Sequence, residues 1–421
     1  MGAFVIRGCE IYLGGAFVPA ELEVRGGVVT ALGGGIVPGE GASVYNFKNC
    51  IVVPGLADVH VHLREPGFSY KETVASGTRA AARSGYAALC AMPNLSPVPE
   101  DAATLAQELE IIRRDAVIDV LPYGAITRGQ KGAQLADMSA MSPYVCGFSD
   151  DGRGVQSREL MRAAMLEAKR LGRPIAAHCE DNSLLRGGYI HEGEYAKAHG
   201  HRGICSESEW GPIARDIELL RETGCAYHVC HISTRESAEV IRRAKAEGLD
   251  ISCETGPHYL LLSDADLEED GRFKMNPPLR SERDRLALIE ALRDGTIDIL
   301  ATDHAPHSAE EKSRGLAGSA FGITGLETAF PLLWTGLVEP GIITRERLVE
   351  LMSTAPARRF GIESGIEPGG PATFAVFETE TTYRIDPERF ASKGRATPFA
   401  GREVRGRCVL NVVRGREVWR A

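Results

Sequence analysis

Val59-His60-Val61-His62-Leu63 is an apolar run of strand length in which two histidines alternate with aliphatic residues. Side chains along a strand alternate between faces, so both imidazoles share one face and could share a metal ion. Two satisfied histidines in a packed layer would give the same pattern, and the surrounding chain has to decide. Seven more β-type runs follow, at 86–92, 118–126, 144–150, 174–179, 226–232, 250–254 and 297–303. Helical periodicity fills the gaps. Leu160, Ala164, Ala168 and Leu171 precede Gly172, and Ile213, Ile217 and Leu220 precede Gly224, each series at spacings of three and four residues with a glycine stop. Eight strand–helix units in about 300 residues predict an α/β fold, a (β/α)8 barrel of the TIM type, over residues 54–361.

Outside the barrel the texture changes. Phe4-Val5-Ile6, Ala20-Glu21-Leu22-Glu23-Val24 and Val28-Val29-Thr30-Ala31-Leu32 near one end, with Ala372-Thr373-Phe374-Ala375-Val376-Phe377 and Arg405 to Arg414 near the other, alternate or run apolar between glycines. Each end alone is too short for a stable sheet. Residues 1–53 plus 362–421 are therefore expected to pair into a small β-sandwich domain built from both termini. Two glycine- and charge-rich insertions, 181–208 and 308–322, follow strands where barrel enzymes keep active-site loops.

Composition narrows the partners. The 421 residues carry 48 Lys and Arg against 57 Asp and Glu, a formal charge of −9, with no basic cluster, which argues against nucleic acid or an anionic membrane as ligand. Arg7 and Glu10 interrupt the first apolar residues, Ile6 stands where a myristoylation motif needs Ser or Thr, and Glu327 and Glu339 cut the best apolar stretch. A cytoplasmic location is expected. The ten cysteines are scattered without a Cys-x2-Cys pair, so they read as reduced core residues, not as disulfides or a zinc ribbon.

The candidate chemistry collects at strand ends. His178 closes Pro174-Ile175-Ala176-Ala177-His178, and His231 closes Tyr227-His228-Val229-Cys230-His231. A barrel brings such ends together around one axis. His228 faces away from His231 by strand parity and is read as packing. Asp303 ends strand eight; Asp150 and Asp151 end strand four, where a turn at Asp-Asp-Gly is the plain alternative. Strand two ends in Met92-Pro93-Asn94. Four histidines and two carboxylates could hold two divalent ions with one carboxylate bridging, and water on such ions is acidified to a pKa of about 7. Arg64, two residues past His62, offers a bidentate fork for a carboxylate, with a surface arginine as the alternative. Asn94 and His307 could donate hydrogen bonds to the same carboxylate.

Taken together, Pro54 to Gly67 with Lys71-Glu72, Met92-Pro93-Asn94, Phe148 to Gly152, Ala177 to Asp181, His231 to Thr234, Lys274 to Arg280, Thr302 to His307 and Phe321 to Thr328 resemble the amidohydrolase superfamily. Within it they resemble the bacterial class I dihydroorotases, which interconvert N-carbamoyl-L-aspartate and L-dihydroorotate in pyrimidine synthesis. The resemblance implies that His60 and His62 hold one zinc and His178 and His231 a second. Asp151 and a hydroxide would bridge them, and Asp303 would sit on the first zinc as general acid/base. Strand four contains no lysine, so Asp151 stands in the place of the carboxylated lysine of many relatives. The resemblance further implies substrate contacts from His62, Arg64, Asn94, Asn276, His307, Phe321 and Gly322, a homodimer, and aspartate transcarbamoylase as a partner. Two rival readings stay open: a hydantoinase- or allantoinase-like cyclic-amide hydrolase, and a noncatalytic subunit that scaffolds the transcarbamoylase.

Overall fold

In the computed structural model, which describes residues 2–421, eight parallel strands follow one another in chain order around a single sheet. They are Leu56–Val61, Tyr86–Ala91, Asp119–Ala125, Gly147–Ser149, Ile175–Ala177, Tyr227–Val229, Ile251–Thr255 and Ile299–Leu300. The first and last are joined through the backbone just beyond them: Val61 bridges His304, and the His62 amide donates to the His304 carbonyl at 2.9 Å. Asp58, fully buried, completes the seam by accepting from the amides of His60 at 3.0 Å and Thr302 at 3.1 Å. The interior is filled by small and medium side chains such as Ala57, Val59, Ala88, Cys90, Ala176 and Ile299. It is a packed core and not a pore.

The strands are shorter than their apolar runs. His62, His178, His231, Asp151 and Asp303 lie one to three residues past the last paired residue of their strands. The backbone leaves the sheet there, with His231 at φ 35°, Asp303 at φ 46° and Arg64 at φ 61°. Left-handed backbone at residues with a Cβ costs about 1–3 kcal/mol each and tends to collect at functional sites.

The helix Arg158–Leu171 starts at its Ser157 cap and stops at Gly172, φ 65°, as the periodicity predicts. Its buried face is Met161, Ala164, Met165 and Ala168, with Leu160 and Leu171 only half-buried. Two methionines inside a charged run fill the groove where the spacing predicts Leu160 and Leu171, and flexible thioethers suit that task. In Glu207–Thr223 the expected Ile213, Ile217 and Leu220 are buried.

Strands from both ends of the chain make one eight-stranded sheet of their own. Cys50–Pro54, which runs straight into the first barrel strand, pairs antiparallel with Phe374–Glu378 and parallel with Phe4–Leu13. Ile6, Ile11, Leu22, Val52, Phe374, Val376 and Leu410 form a core separate from the barrel's. The buried Asn411 amide ties this sheet to the barrel by donating to the carbonyls of Ala82 at 2.9 Å and Tyr86 at 2.8 Å, and Phe377 stacks on Phe330 with centroids 3.8 Å apart. Among the described residues all ten cysteines are free and nine are buried, and no helix is long and apolar enough to cross a membrane.

Candidate metal centre and carboxylate pocket

Both histidines of the opening stretch point into one buried cluster. His60 Nε2 lies 3.3 Å from Asp151 Oδ1 and 3.5 Å from Asp303 Oδ1, while His62 Nε2 lies 3.0 Å from Asp303 Oδ1 and 3.5 Å from Asp151 Oδ2. From the other side of the axis, His178 Nδ1 is 3.6 Å and His231 Nε2 is 3.5 Å from Asp151 Oδ1, and these two ring nitrogens are 2.9 Å apart. Donor atoms of His60, His62 and Asp303 all fall within 4.8 Å of one another, as do those of His60, Asp151 and His231.

Two features of this cluster fit divalent cations. His60 Nε2 and Asp151 Oδ1 are buried yet make no hydrogen bond, a costly arrangement for polar atoms that a metal ion would satisfy. Negative charge is also in surplus. Burial opposes protonation of His60, but Asp151, Glu254 and Asp303 together hold its imidazole well above the ordinary range. Cys230 and Glu254 also approach His60, and burial pushes the Cys230 thiol up to about 12.

Asp150 and Asp151, which the sequence leaves equivalent, part company here. Asp150 turns back to its own scaffold, where Oδ1 accepts from the amides of Ile126 at 2.9 Å and Thr127 at 3.1 Å and Oδ2 from the Thr127 hydroxyl. Asp151 alone faces the histidines.

Around the cluster stand residues that orient it. Glu254, 1% exposed, stands at the end of strand seven, where its Oε1 lies 2.6 Å from His60 Nδ1 and its Oε2 3.0 Å from His228 Nε2. His228 is buried as expected, but through Glu254 it is coupled to the site instead of merely filling space. Alternating parity along 250–254 was the available signal for Glu254. The Asn94 carbonyl oxygen pairs with His62 Nδ1 at 2.8 Å and its amide nitrogen points at Asp151 Oδ2, 3.4 Å away. Glu180 spans His178 Nε2 at 3.4 Å and the Asn276 amide at 2.9 Å.

Beside the cluster lies a pocket with two cationic side chains, Arg64 and Lys71, of which Lys71 is paired with Glu311 at 2.9 Å. Arg64 is 8% exposed and, among the described residues, makes no ion pair; its Nε donates to the Pro306 carbonyl at 3.3 Å and its terminal nitrogen lies 3.3 Å from His307 Nε2. A buried guanidinium without a carboxylate partner is expensive unless an anion joins it. His307 donates through Nε2 to the Phe321 carbonyl at 2.7 Å and faces the Lys71 ammonium through Nδ1 at 3.3 Å. Burial, Arg64 and Lys71 depress its pKa to about 3, so it is neutral. Lys71 thus enters the pocket unannounced by any spacing rule. Gly322, at φ 131°, sits where a Cβ would be 2.6 Å from the Ala305 carbonyl oxygen, so the close approach excludes other residues.

Against proteins of known family, residues 49–237 match a model described as dihydro-orotase-like. Over its whole length the chain is 46% identical to a dihydroorotase of Bacillus caldolyticus and 47% identical to one of Geobacillus kaustophilus, covering 99% of each. The chain belongs to the dihydroorotase family. Solved structures with similar folds include an L-hydantoinase (dihydropyrimidinase) from Arthrobacter aurescens, TM-score 0.89 at 25% identity, covering 100% of this chain and 96% of that one. A dihydropyrimidinase from Brevibacillus agri gives a TM-score of 0.87 at 22% identity, covering 99% and 95%. Dihydroorotases and hydantoinases therefore share this architecture, and sequence identity near one half falls on the dihydroorotase side.

Proposed function

We propose that this chain is a reversible, zinc-dependent dihydroorotase, opening L-dihydroorotate to N-carbamoyl-L-aspartate and closing it again as a step of de novo pyrimidine (UMP) biosynthesis. The observation that carries the substrate is the unpaired, buried Arg64 beside a metal-type cluster. Both ring and open forms bear a carboxylate that this guanidinium can grip with two parallel hydrogen bonds, whereas hydantoin and allantoin bear none.

In this reading His60, His62 and Asp303 would hold one zinc and His178 and His231 a second, and Asp151 is the carboxylate within reach of both pairs of histidines. Bound, the ions supply an acidified water and positive charge for the amide carbonyl oxygen. Glu254 and Asn94 fix the rings of His60 and His62, so that their Nε2 atoms face inward. Burial works against charge on Asp303, but His60 and His62 hold its carboxylate below the usual range. It therefore stands ionised at neutral pH, able to take a proton during hydrolysis and return it to the departing ring nitrogen. In ring closure the same carboxylate takes the proton from the attacking carbamoyl nitrogen. Arg64, with Asn94, holds the substrate carboxylate, while the neutral His307, its Nε2–H engaged by the Phe321 carbonyl and its Nδ1 facing Lys71, backs that wall without a free donor of its own. Asn276 and the Phe321–Gly322 backbone meet the ring.

A cytoplasmic location, a homodimer and a transcarbamoylase partner accompany this reading through the family resemblance. The same proposal takes residues 1–53 with 362–421 as one domain and 54–361 as the other. The test is turnover of dihydroorotate, hydantoin and allantoin by purified protein whose metal content is measured alongside. Dihydroorotate is expected to be the preferred substrate by orders of magnitude, with about two zinc ions per chain. Preference for hydantoin would refute the role of Arg64, and full zinc without turnover of carbamoyl aspartate would revive the scaffold reading.

A further inference from the structure

Lys312 lies in the 308–322 segment with only 7% of its surface exposed, and its ammonium makes no ion pair among the described residues. Its three hydrogen bonds all go to backbone carbonyls: Lys274 at 3.0 Å, Ala320 at 2.8 Å and Gly322 at 2.8 Å. An ammonium has three donors and no acceptor, so this cage saturates it.

The carbonyls come from two parts of the chain. Ala320 and Gly322 belong to the loop after strand eight, and Lys274 stands two residues before Asn276. The Gly322 amide also donates to the Lys274 carbonyl at 3.1 Å, and the Lys274 ammonium lies 4.5 Å from the centre of the Phe321 ring. Phe321's own carbonyl holds His307 Nε2 at 2.7 Å. The segments carrying Asn276 and Phe321–Gly322 therefore meet at one buried nitrogen, and His307 joins them through the Phe321 carbonyl.

We propose that Lys312 is a positioning residue for the ring-binding wall: its ammonium ties the Phe321–Gly322 backbone to the Asn276 segment and so sets the width of the substrate pocket. The proposal rests on the dihydroorotate reading for the identity of the ligand. Burial and the neighbouring Lys274 pull the Lys312 ammonium down to about 7, while Asp270 and Glu311 favour the charged form. The three carbonyls also favour the charge.

The test compares Lys312→Met, which keeps the aliphatic length and removes every donor, with Lys312→Gln, which keeps two. Kinetics with dihydroorotate are measured at verified metal content, and amide hydrogen exchange across 308–322 is followed by mass spectrometry. In Lys312→Met, KM is expected to rise by about tenfold or more while kcat stays within about threefold, because an interaction that holds substrate and transition state alike has been removed. Exchange at 318–322 should quicken by about tenfold or more, and Lys312→Gln should fall between. Unchanged exchange, faster exchange with unchanged KM, or a loss confined to kcat would each overturn the proposal. So would loss of the whole fold in both variants, since a local tie cannot hold up the barrel. Absence of dihydroorotate turnover in the unsubstituted enzyme would overturn the substrate reading instead, and hydrogen exchange would then decide the loop anchor alone.

Discussion

Replacing Glu254 by Gln changes one oxygen to an NH2 group and leaves volume almost untouched. In the native site the carboxylate accepts on both sides, from His60 Nδ1 at 2.6 Å and from His228 Nε2 at 3.0 Å. Burial opposes its charge, but His60 and His228 lower its pKa to about 2. It is thus ionised at any working pH. An amide can accept on one side only, so one imidazole must face a donor and either turn or change tautomer. A hydrogen bond to a charged group is worth about 1.5–3 kcal/mol, and losing one of the two is expected to cost about 2 kcal/mol of stability in denaturant titrations. If His60 is the ring that yields, its Nε2 loses its lone-pair aim at the cluster. Outer partners of this kind typically change metal affinity by about 10–100-fold. Competition with a chromophoric chelator should show a loss of that size in Glu254→Gln, with activity recovering substantially at saturating zinc. Zinc affinity within about twofold of the unsubstituted protein, despite reduced stability, would refute the argument and make Glu254 a packing residue.

Asp303→Asn should bind metal through the remaining ligands but hydrolyse dihydroorotate about 10²–10⁴-fold more slowly, measured by the loss of ring absorbance; retained activity with normal metal content would remove Asp303 from proton transfer. Gly322→Ala forces a Cβ against the Ala305 carbonyl at φ 131°, so a destabilisation of about 1–3 kcal/mol and a raised KM are expected from thermal unfolding and kinetics. The His307 pKa of about 3 lies far below the ordinary imidazole value. Lowering the pH from 8 to 5 therefore leaves His307 neutral, and KM should show no inflection near pH 6.5 that disappears in His307→Gln. Such an inflection would show that Arg64 and Lys71 do not suppress its protonation.

Much of this protein is decided locally and was legible as such. Strand periodicity and glycine stops predict eight strand–helix units, and the parity of two places His60 and His62 on one face before any neighbour is known. The histidines and Asp303 stand at strand ends because the local chain pattern puts them there, and a barrel's closure makes strand ends converge. Helix faces were less secure. In Arg158–Leu171, Ala164 and Ala168 are buried as the spacing predicts, but Met161 and Met165 fill the rest of the buried face in place of Leu160 and Leu171, because the helix orientation answers to the partner groove and not to hydrophobicity alone.

Tertiary structure decided what depends on distance between segments remote in sequence. Asp150 and Asp151 are chemically identical neighbours, and only the amides of Ile126 and Thr127, waiting beside one of them, sort the scaffold carboxylate from the one facing the histidines. Glu254 acquires its role from His60, 194 residues away, and Lys71 from its approach to His307, 236 residues on. Lys312 reads in the sequence as one more charge on a polar loop; enclosure by three carbonyls makes it a knot. Residue type and strand parity are encoded within a few positions, whereas pairing, burial and charge balance are set by which atoms the closed barrel brings within hydrogen-bonding reach.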